Sequence, residues 1–262
     1  MSYTNPLLEK AAATVNTVDD INKALDQHYA MLGKFLTGVG NDKWHLIVNG
    51  PAGSGKTEYT KKILSNNHAS IISGTLSAIK LYIALYQNRR KGQVLIIDDT
   101  DKTLEDTECL EVLKAALDSQ GNKSVDWNKY STALAQYGVP DSFVFKGRVV
   151  IITNKHMSGG AKQTKAQVAI APVLSRCQYF KAGLPSKEWE VAALRRMVET
   201  GEVRCFNEAG ISVDVQNQIV DFVEEHADDL REISFRVLKK CLDLYLEDNT
   251  DWQFMALASM GV

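Results

Sequence analysis

The sequence predicts an α/β protein in three layers, a parallel sheet covered by helices on both faces, followed by a smaller C-terminal helical domain. Three observations carry this. The runs "HLIV", "VLIID" and "RVVIIT" are continuously apolar and β-branched, as strands buried on both faces must be. Helical stretches alternate with them, which suits crossover connections between parallel strands. From Pro185 onward the strand signal fades, and "SKEWEVAALRRMVETG", "SVDVQNQIVDFVEEHA" and "SFRVLKKCLDLYLED" repeat apolar residues at helical spacing.

Each element follows in order. Residues 1–40 form an N-terminal helical segment, in which Ile21, Leu25, Tyr29, Leu32 and Phe35 recur at three- and four-residue steps. An α/β core spans 41–183. There "WHLIV" (44–48) precedes a glycine-rich turn and a helix from about Lys56, and "ASIIS" (69–73) precedes a helix over 77–90. "QVLIID" (93–98) precedes a helix over 109–119; "RVVIIT" (148–153) and "CQYFKA" (177–182) complete the strands. The helical domain covers 184–247, and 248–262 is a short helix or a tail.

The chain has 262 residues and is 45% hydrophobic, enough for a substantial core. Its net charge of −2 is unevenly spread: residues 184–262 carry 8 Lys/Arg against 16 Asp/Glu, and residues 1–183 carry 22 against 16. A basic body ahead of an acidic region is compatible with nucleic acid touching the body, and equally with ordinary surface variation. Cys109, Cys177, Cys205 and Cys241 are too scattered for a metal knuckle or redox pair and suit a reducing compartment. The start has no basic cluster followed by a long apolar stretch, and no run approaches the ~20 apolar residues of a membrane helix. A cytoplasmic protein without membrane partners is expected.

Gly50-Pro51-Ala52-Gly53-Ser54-Gly55-Lys56-Thr57 matches G-x-x-x-x-G-K-[ST] between an apolar strand and a helix. Glycines let successive N–H groups turn inward around phosphate oxygens, and the following helix presents its positive end to them. Lys56 is expected to reach the β- and γ-phosphates of ATP, and Thr57 to ligate Mg²⁺. A second strand ends in "VLIIDDTD". Asp98 is placed to hold Mg²⁺ through water, and Asp99 to polarise the attacking water as general base. Asp101 reads as a solvated turn residue. In "RVVIITNKH", Asn154 falls at the carboxyl end of a strand, the edge where open α/β sheets bind ligands, and its amide can hold water or contact the γ-phosphate.

In this order the motifs resemble those of AAA+ ATPases over about residues 40–247. The resemblance implies a P-loop NTPase fold with a helical lid, ATP hydrolysis with Mg²⁺, and assembly as a homo-oligomeric ring, a hexamer, with ATP bound between subunits. It makes Asn154 sensor 1. "APVLSRCQYF" looks like the arginine-finger pattern and gives Arg176, acting on the neighbouring subunit's nucleotide. "LREISFRVLKKCLDLY" looks like the sensor 2 pattern and gives Arg236. Arg148 and Arg231 are secondary candidates for the same roles, and Arg195 and Arg196 read as a solvated helix face. Ser175-Arg176-Cys177 is similar to clamp-loader small subunits. The Asp-Asp strand end with an Asn after the next strand is similar to superfamily 3 helicases of viruses and plasmids. Asp99 stands where most AAA+ proteins carry Glu, which implies slower hydrolysis.

The stretch from Gly121 to Asn154 is long for a helix-to-strand connection. "SVDW" and "SFVF" can pair as a hairpin ahead of Asn154. Superfamily 3 helicases carry a DNA-tracking hairpin at the corresponding place, which makes Lys123 and Lys129 candidate DNA contacts with Trp127 or Tyr130 as stacking partners. The same segment also reads as a surface excursion with its aromatics packed inward. The sequence therefore leads to an ATPase in DNA metabolism, of replication, helicase or helicase-loader type and phage or plasmid encoded, in the host cytoplasm. The alternative is a protein remodeller or partner-regulating ATPase.

Overall fold

The computed structural model describes residues 3–15, 17–38, 44–65, 67–118, 124–155 and 165–261. Contacts divide the chain into two compact units. The first comprises Met31–Gly50 and Lys56–Lys181; the second comprises Ser2–Ala30, Pro51–Gly55 and Ala182–Val262.

The first unit is built on a five-stranded parallel sheet. Its strands are β1 (His45–Asn49), β2 (His68–Ser73), β3 (Gln93–Asp98), β6 (Arg148–Thr153) and β7 (Cys177–Lys181), in the spatial order β2-β3-β6-β1-β7. The spatial order cannot be read from local pattern, because β1 finds its neighbours about a hundred residues away. All residues of β1 and β6 are buried, whereas β2, on an edge, is largely exposed. The continuous apolar runs thus mark the centre of the sheet. Register pairs Asn49 with Thr153 and Asp98 with Ile152, so β1, β3 and β6 end along one line.

Helices α3 (Lys56–Leu64), α4 (Ala78–Gln87), α5 (Thr107–Ala116) and α7 (Lys165–Leu174) belong to this unit. The main core gathers Leu81, Tyr82, Leu85, Leu110, Leu113 and Val173 against Ile97, Val149 and Ile151 of the sheet. Arg148, a secondary candidate for a phosphate-facing arginine, is committed elsewhere. Its buried guanidinium donates to the carbonyls of Phe35 and Leu36, at the end of α2 (Val18–Thr37), and of Trp44. The first two are carbonyls that a helix end leaves without intrahelical partners, so the charge closes α2 and is spent there. Burial pushes its pKa down to about 10.

Between α5 and β6 the chain leaves the sheet. Strands β4 (Ser124–Asp126) and β5 (Ser142–Val144) pair antiparallel, Val125 opposite Phe143, and the short helix α6 (Thr132–Gln136) lies between them in sequence. The excursion is rooted by aromatics: Phe143 and Trp127 lie 5.0 and 5.5 Å from the Tyr82 ring, and the Tyr82 hydroxyl donates to the Pro140 carbonyl at 2.9 Å.

The second unit is helical. It contains α1 (Pro6–Ala12), α8 (Lys187–Glu199), α9 (Arg204–Ala209), α10 (Val213–Glu225), α11 (Phe235–Glu247) and α12 (Trp252–Met260). Phe206, Phe222, Leu230, Leu238 and Trp252 form its core. A satellite cluster packs Leu8, Ile21 and Leu25 on Trp189. Arg195 and Arg196, expected on a solvated face, are half-buried ion-pair partners instead: Arg195 donates to Asp221 at 2.8 Å, and Arg196 to Asp26 at 2.8 Å. Both carboxylates come from distant helices, which local spacing cannot show.

Candidate phosphate-binding site

In the first unit, parallel strands bring a group of polar side chains to one edge. Lys56 opens α3 and is 6% exposed. Its Nζ donates to the Gly50 carbonyl at 3.0 Å and to Asn154 Oδ1 at 2.9 Å. The loop lysine and the residue after β6 are therefore brought together at the carboxyl edge of the sheet. Beside them the Thr57 hydroxyl donates to Asp98 Oδ2 at 2.9 Å. Burial pushes the Asp98 carboxyl above its ordinary range; the Thr57 hydrogen bond opposes this, Asp99 adds to it, and Lys61 and Lys56 pull it back. A hydroxyl and a carboxylate at this spacing form a hard oxygen donor pair of the kind Mg²⁺ takes.

Asp99 is exposed just after β3 and holds φ at 50°, the one non-glycine residue with positive φ among those described. Asp tolerates this left-handed conformation better than most residues, at a cost of about 1 kcal/mol. Asp101 corrects the sequence expectation: it is no free turn residue but accepts the Thr153 hydroxyl at 2.7 Å, across 52 positions of chain.

Asn49 is a residue that sequence reasoning missed. It is 2% exposed, and its amide Nδ2 donates to the carbonyls of Lys155 at 2.7 Å and Thr153 at 3.3 Å. The available signal was a polar amide closing a wholly apolar strand, which needs buried partners to be tolerated.

In the second unit the middle of the glycine loop meets the start of α11. Gly53 and Gly55 hold φ of 76° and 75°. A Cβ on Gly53 would lie 2.5 Å from Ser234 Cβ, and one on Gly55 would lie 2.7 Å from the Phe235 ring, so glycine is required twice over at both. Phe235 N donates to the Gly53 carbonyl at 3.3 Å, and buried Ser234 caps α11. Ser54 donates its hydroxyl to Pro51 O at 3.0 Å, closing the turn. A cavity of about 280 Å³ opens here, lined by Pro51, Ala52 and Gly53 together with Tyr29, Leu194, Met197 and Ile233. Lys187, Glu190, Arg231 and Glu232 give it a polar margin. Burial pushes the Glu190 carboxyl up. Arg236 follows Phe235 directly and is exposed.

Arg176 lies in the first unit just after α7, with its Nη1 donating to the Pro172 carbonyl at 2.8 Å and its Nε buried without a partner. Lys129 lies on the β4–β5 excursion and pairs with Glu108 at 2.6 Å. Lys123, the other candidate DNA contact, lies outside the described residues. Trp127 packs against the core, whereas Tyr130 is 96% exposed. Among the described residues no cluster of His, Cys, Asp and Glu has metal-binding spacing, and no helix is long and apolar enough to cross a membrane.

The chain is 27% identical over 255 residues to an uncharacterized 36.7 kDa protein in the nrdC-mobD intergenic region of Enterobacteria phage T4, covering 94% of this chain and 78% of that protein. No family model matches. Among solved structures, one point mutant of Thermotoga maritima RuvB superposes with a TM-score of 0.51 at 14% identity, over 92% of this chain and 68% of that one. A second point mutant of the same protein gives 0.50 at 14%, over 93% and 72%. RuvB is described as a Holliday junction branch migration motor. At such identity the likeness establishes the fold alone: the chain shares with RuvB an α/β fold, here a five-stranded parallel sheet with C-terminal helices.

Proposed function

We propose that this AAA+ fold is an ATP-hydrolysing motor that acts on DNA as a ring of identical subunits, a hexamer, in the cytoplasm of a phage-infected cell. The observation that carries the ATPase reading is the pair of contacts at one sheet edge, Lys56 to Asn154 and Thr57 to Asp98. Gly50 to Gly55 would wrap the phosphates with backbone N–H groups, and Lys56 would hold the β- and γ-phosphates. Thr57 and Asp98 would hold Mg²⁺, which neutralises charge on the phosphate oxygens. Asp99 accepts the water proton, and Asn154 orients that water. Arg176 serves the neighbouring subunit's nucleotide, and Arg236 links nucleotide state to the helical unit. In the second unit by itself, the cavity beside Tyr29 and Ala52 is concave and mainly apolar with a few polar groups at its margin, as ligand pockets commonly are.

The DNA reading draws on the fold shared with RuvB, on the phage relative and on the β4–β5 hairpin ahead of Asn154, with Lys129 and Lys123 as its contacts. One observation favours a protein client as second reading: Lys129 is already paired with Glu108, and the same hairpin carries Asp126 at the end of β4 and Asp141 just before β5. Steady-state ATP hydrolysis with and without single-stranded and duplex DNA, at low and higher salt, decides between them, with Lys56→Ala as blank. DNA stimulation that fades with salt is expected. Hydrolysis indifferent to DNA supports the protein client, and wild-type hydrolysis no greater than that of Lys56→Ala removes the ATPase reading.

A further inference from the structure

We infer that Asn49 is a positioning residue for ATP hydrolysis: it clamps the backbone of residues 153–155 so that the Asn154 side chain stays aimed at Lys56. This rests on the reading of Asn154 given above. Asn154 lies on a single residue between two peptides, and its aim depends on how those peptides are turned. Thr153 O, on the peptide that leads into Asn154, and Lys155 O, one peptide beyond the one that leads out of it, both accept from the one Asn49 amide. From the other side the Thr153 hydroxyl donates to Asp101 at 2.7 Å and accepts from Lys155 N at 3.0 Å. Lys155 in turn pairs with Glu105. The segment is gripped from β1 and from the turn after β3, the two elements that also carry the phosphate loop and Asp98.

The register explains why one side chain can do this. Asn49 is the last residue of β1 and pairs with Thr153, the last of β6. Beyond that point the ladder has only Gly50 N, which donates to Thr153 O at 3.3 Å. The Asn49 amide adds two donations where the backbone ladder gives out, one reaching past Asn154. A buried apolar residue would fill the same volume, remove the Asn49 donation to Lys155 O and leave Thr153 O to Gly50 N. An aspartate would set negative oxygen against them. The Asn49 amide is spent on backbone carbonyls, so its influence passes through Asn154.

The test uses the full chain with Asn49→Leu and Asn49→Asp. Hydrogen–deuterium exchange of peptides covering 150–155 is expected to rise in both, while the affinity for a non-hydrolysable ATP analogue changes less than about twofold. Hydrolysis is expected to fall on the order of 10- to 100-fold in kcat, with KM little changed, as for displaced supporting groups in other active sites. In an Asn154→Ala background Asn49→Leu should add no further loss, because both act through one side chain. Unchanged exchange over 150–155, or losses that multiply in the double variant, would overturn the inference. Should Asn49→Leu unfold the chain, Asn49→Asp and the exchange readout still decide. If exchange rises in the Asn49 variants but Asn154→Ala hydrolyses ATP at the wild-type rate, the clamp stands and the role given to Asn154 fails.

Discussion

The sheet edge and the β4–β5 excursion belong to the same unit and are built on opposite terms. At the edge, Lys56, Thr57, Asp98, Asn49, Thr153 and Asp101 are tied to one another or to backbone carbonyls, and the strand ends hold them in place. On the excursion a base of buried Val125 and Phe143 with half-buried Trp127 supports a surface with Tyr130 96% exposed and Tyr137 exposed as well. Chemistry that depends on sub-ångström placement needs rigid strand ends, whereas recognition tolerates a loop on a firm root.

Substitutions in the two regions should therefore separate catalysis, stability and recognition. The largest effect is expected at the edge, where Lys56→Ala should lower hydrolysis by at least ~100-fold, as loss of a charge-stabilising donor does, with weakened nucleotide binding measured by titration calorimetry. Next comes the root: Phe143→Ala should cost about 3 kcal/mol in denaturant unfolding, while nucleotide affinity at the edge holds. A loss of nucleotide binding in that variant would show the two regions to be coupled. Tyr130→Ala should leave unstimulated hydrolysis unchanged and weaken single-stranded DNA binding by about 1–3 kcal/mol, read by fluorescence anisotropy. The smallest effect belongs to Lys129→Ala. Its ion pair with Glu108 is exposed on both sides, so stability should move by less than about 1 kcal/mol. A DNA contact there would still show as a salt slope reduced by about one.

The central strands were legible because burial on both faces leaves a continuous apolar run. The turn between β1 and α3 was legible because its pattern is local: glycines, lysine and threonine in one octet. The β4–β5 pairing could be read from two short β-rich runs, although nothing in them announced α6. Helix α7 was harder, since Pro172 lies inside it and local rules place proline at helix boundaries. Arg148, Asp101 and Asn49 were illegible for one physical reason. Each is bonded to a partner about fifty to a hundred residues away, and no periodicity carries that information.

The left-handed backbone at Asp99 acts as a filter on what can replace it. Glycine and asparagine fit that geometry at little cost, but neither offers a carboxylate. Glutamate, the longer acid that the AAA+ resemblance leads one to expect here, would keep the charge and extend its reach while meeting a steric penalty on the order of 1 kcal/mol. Among acids, reach and conformational ease therefore pull in opposite directions at this position. A variant selected for faster turnover through Asp99→Glu would need a compensating gain elsewhere, and the turn from Asp99 to Asp101 is where a second substitution should accumulate.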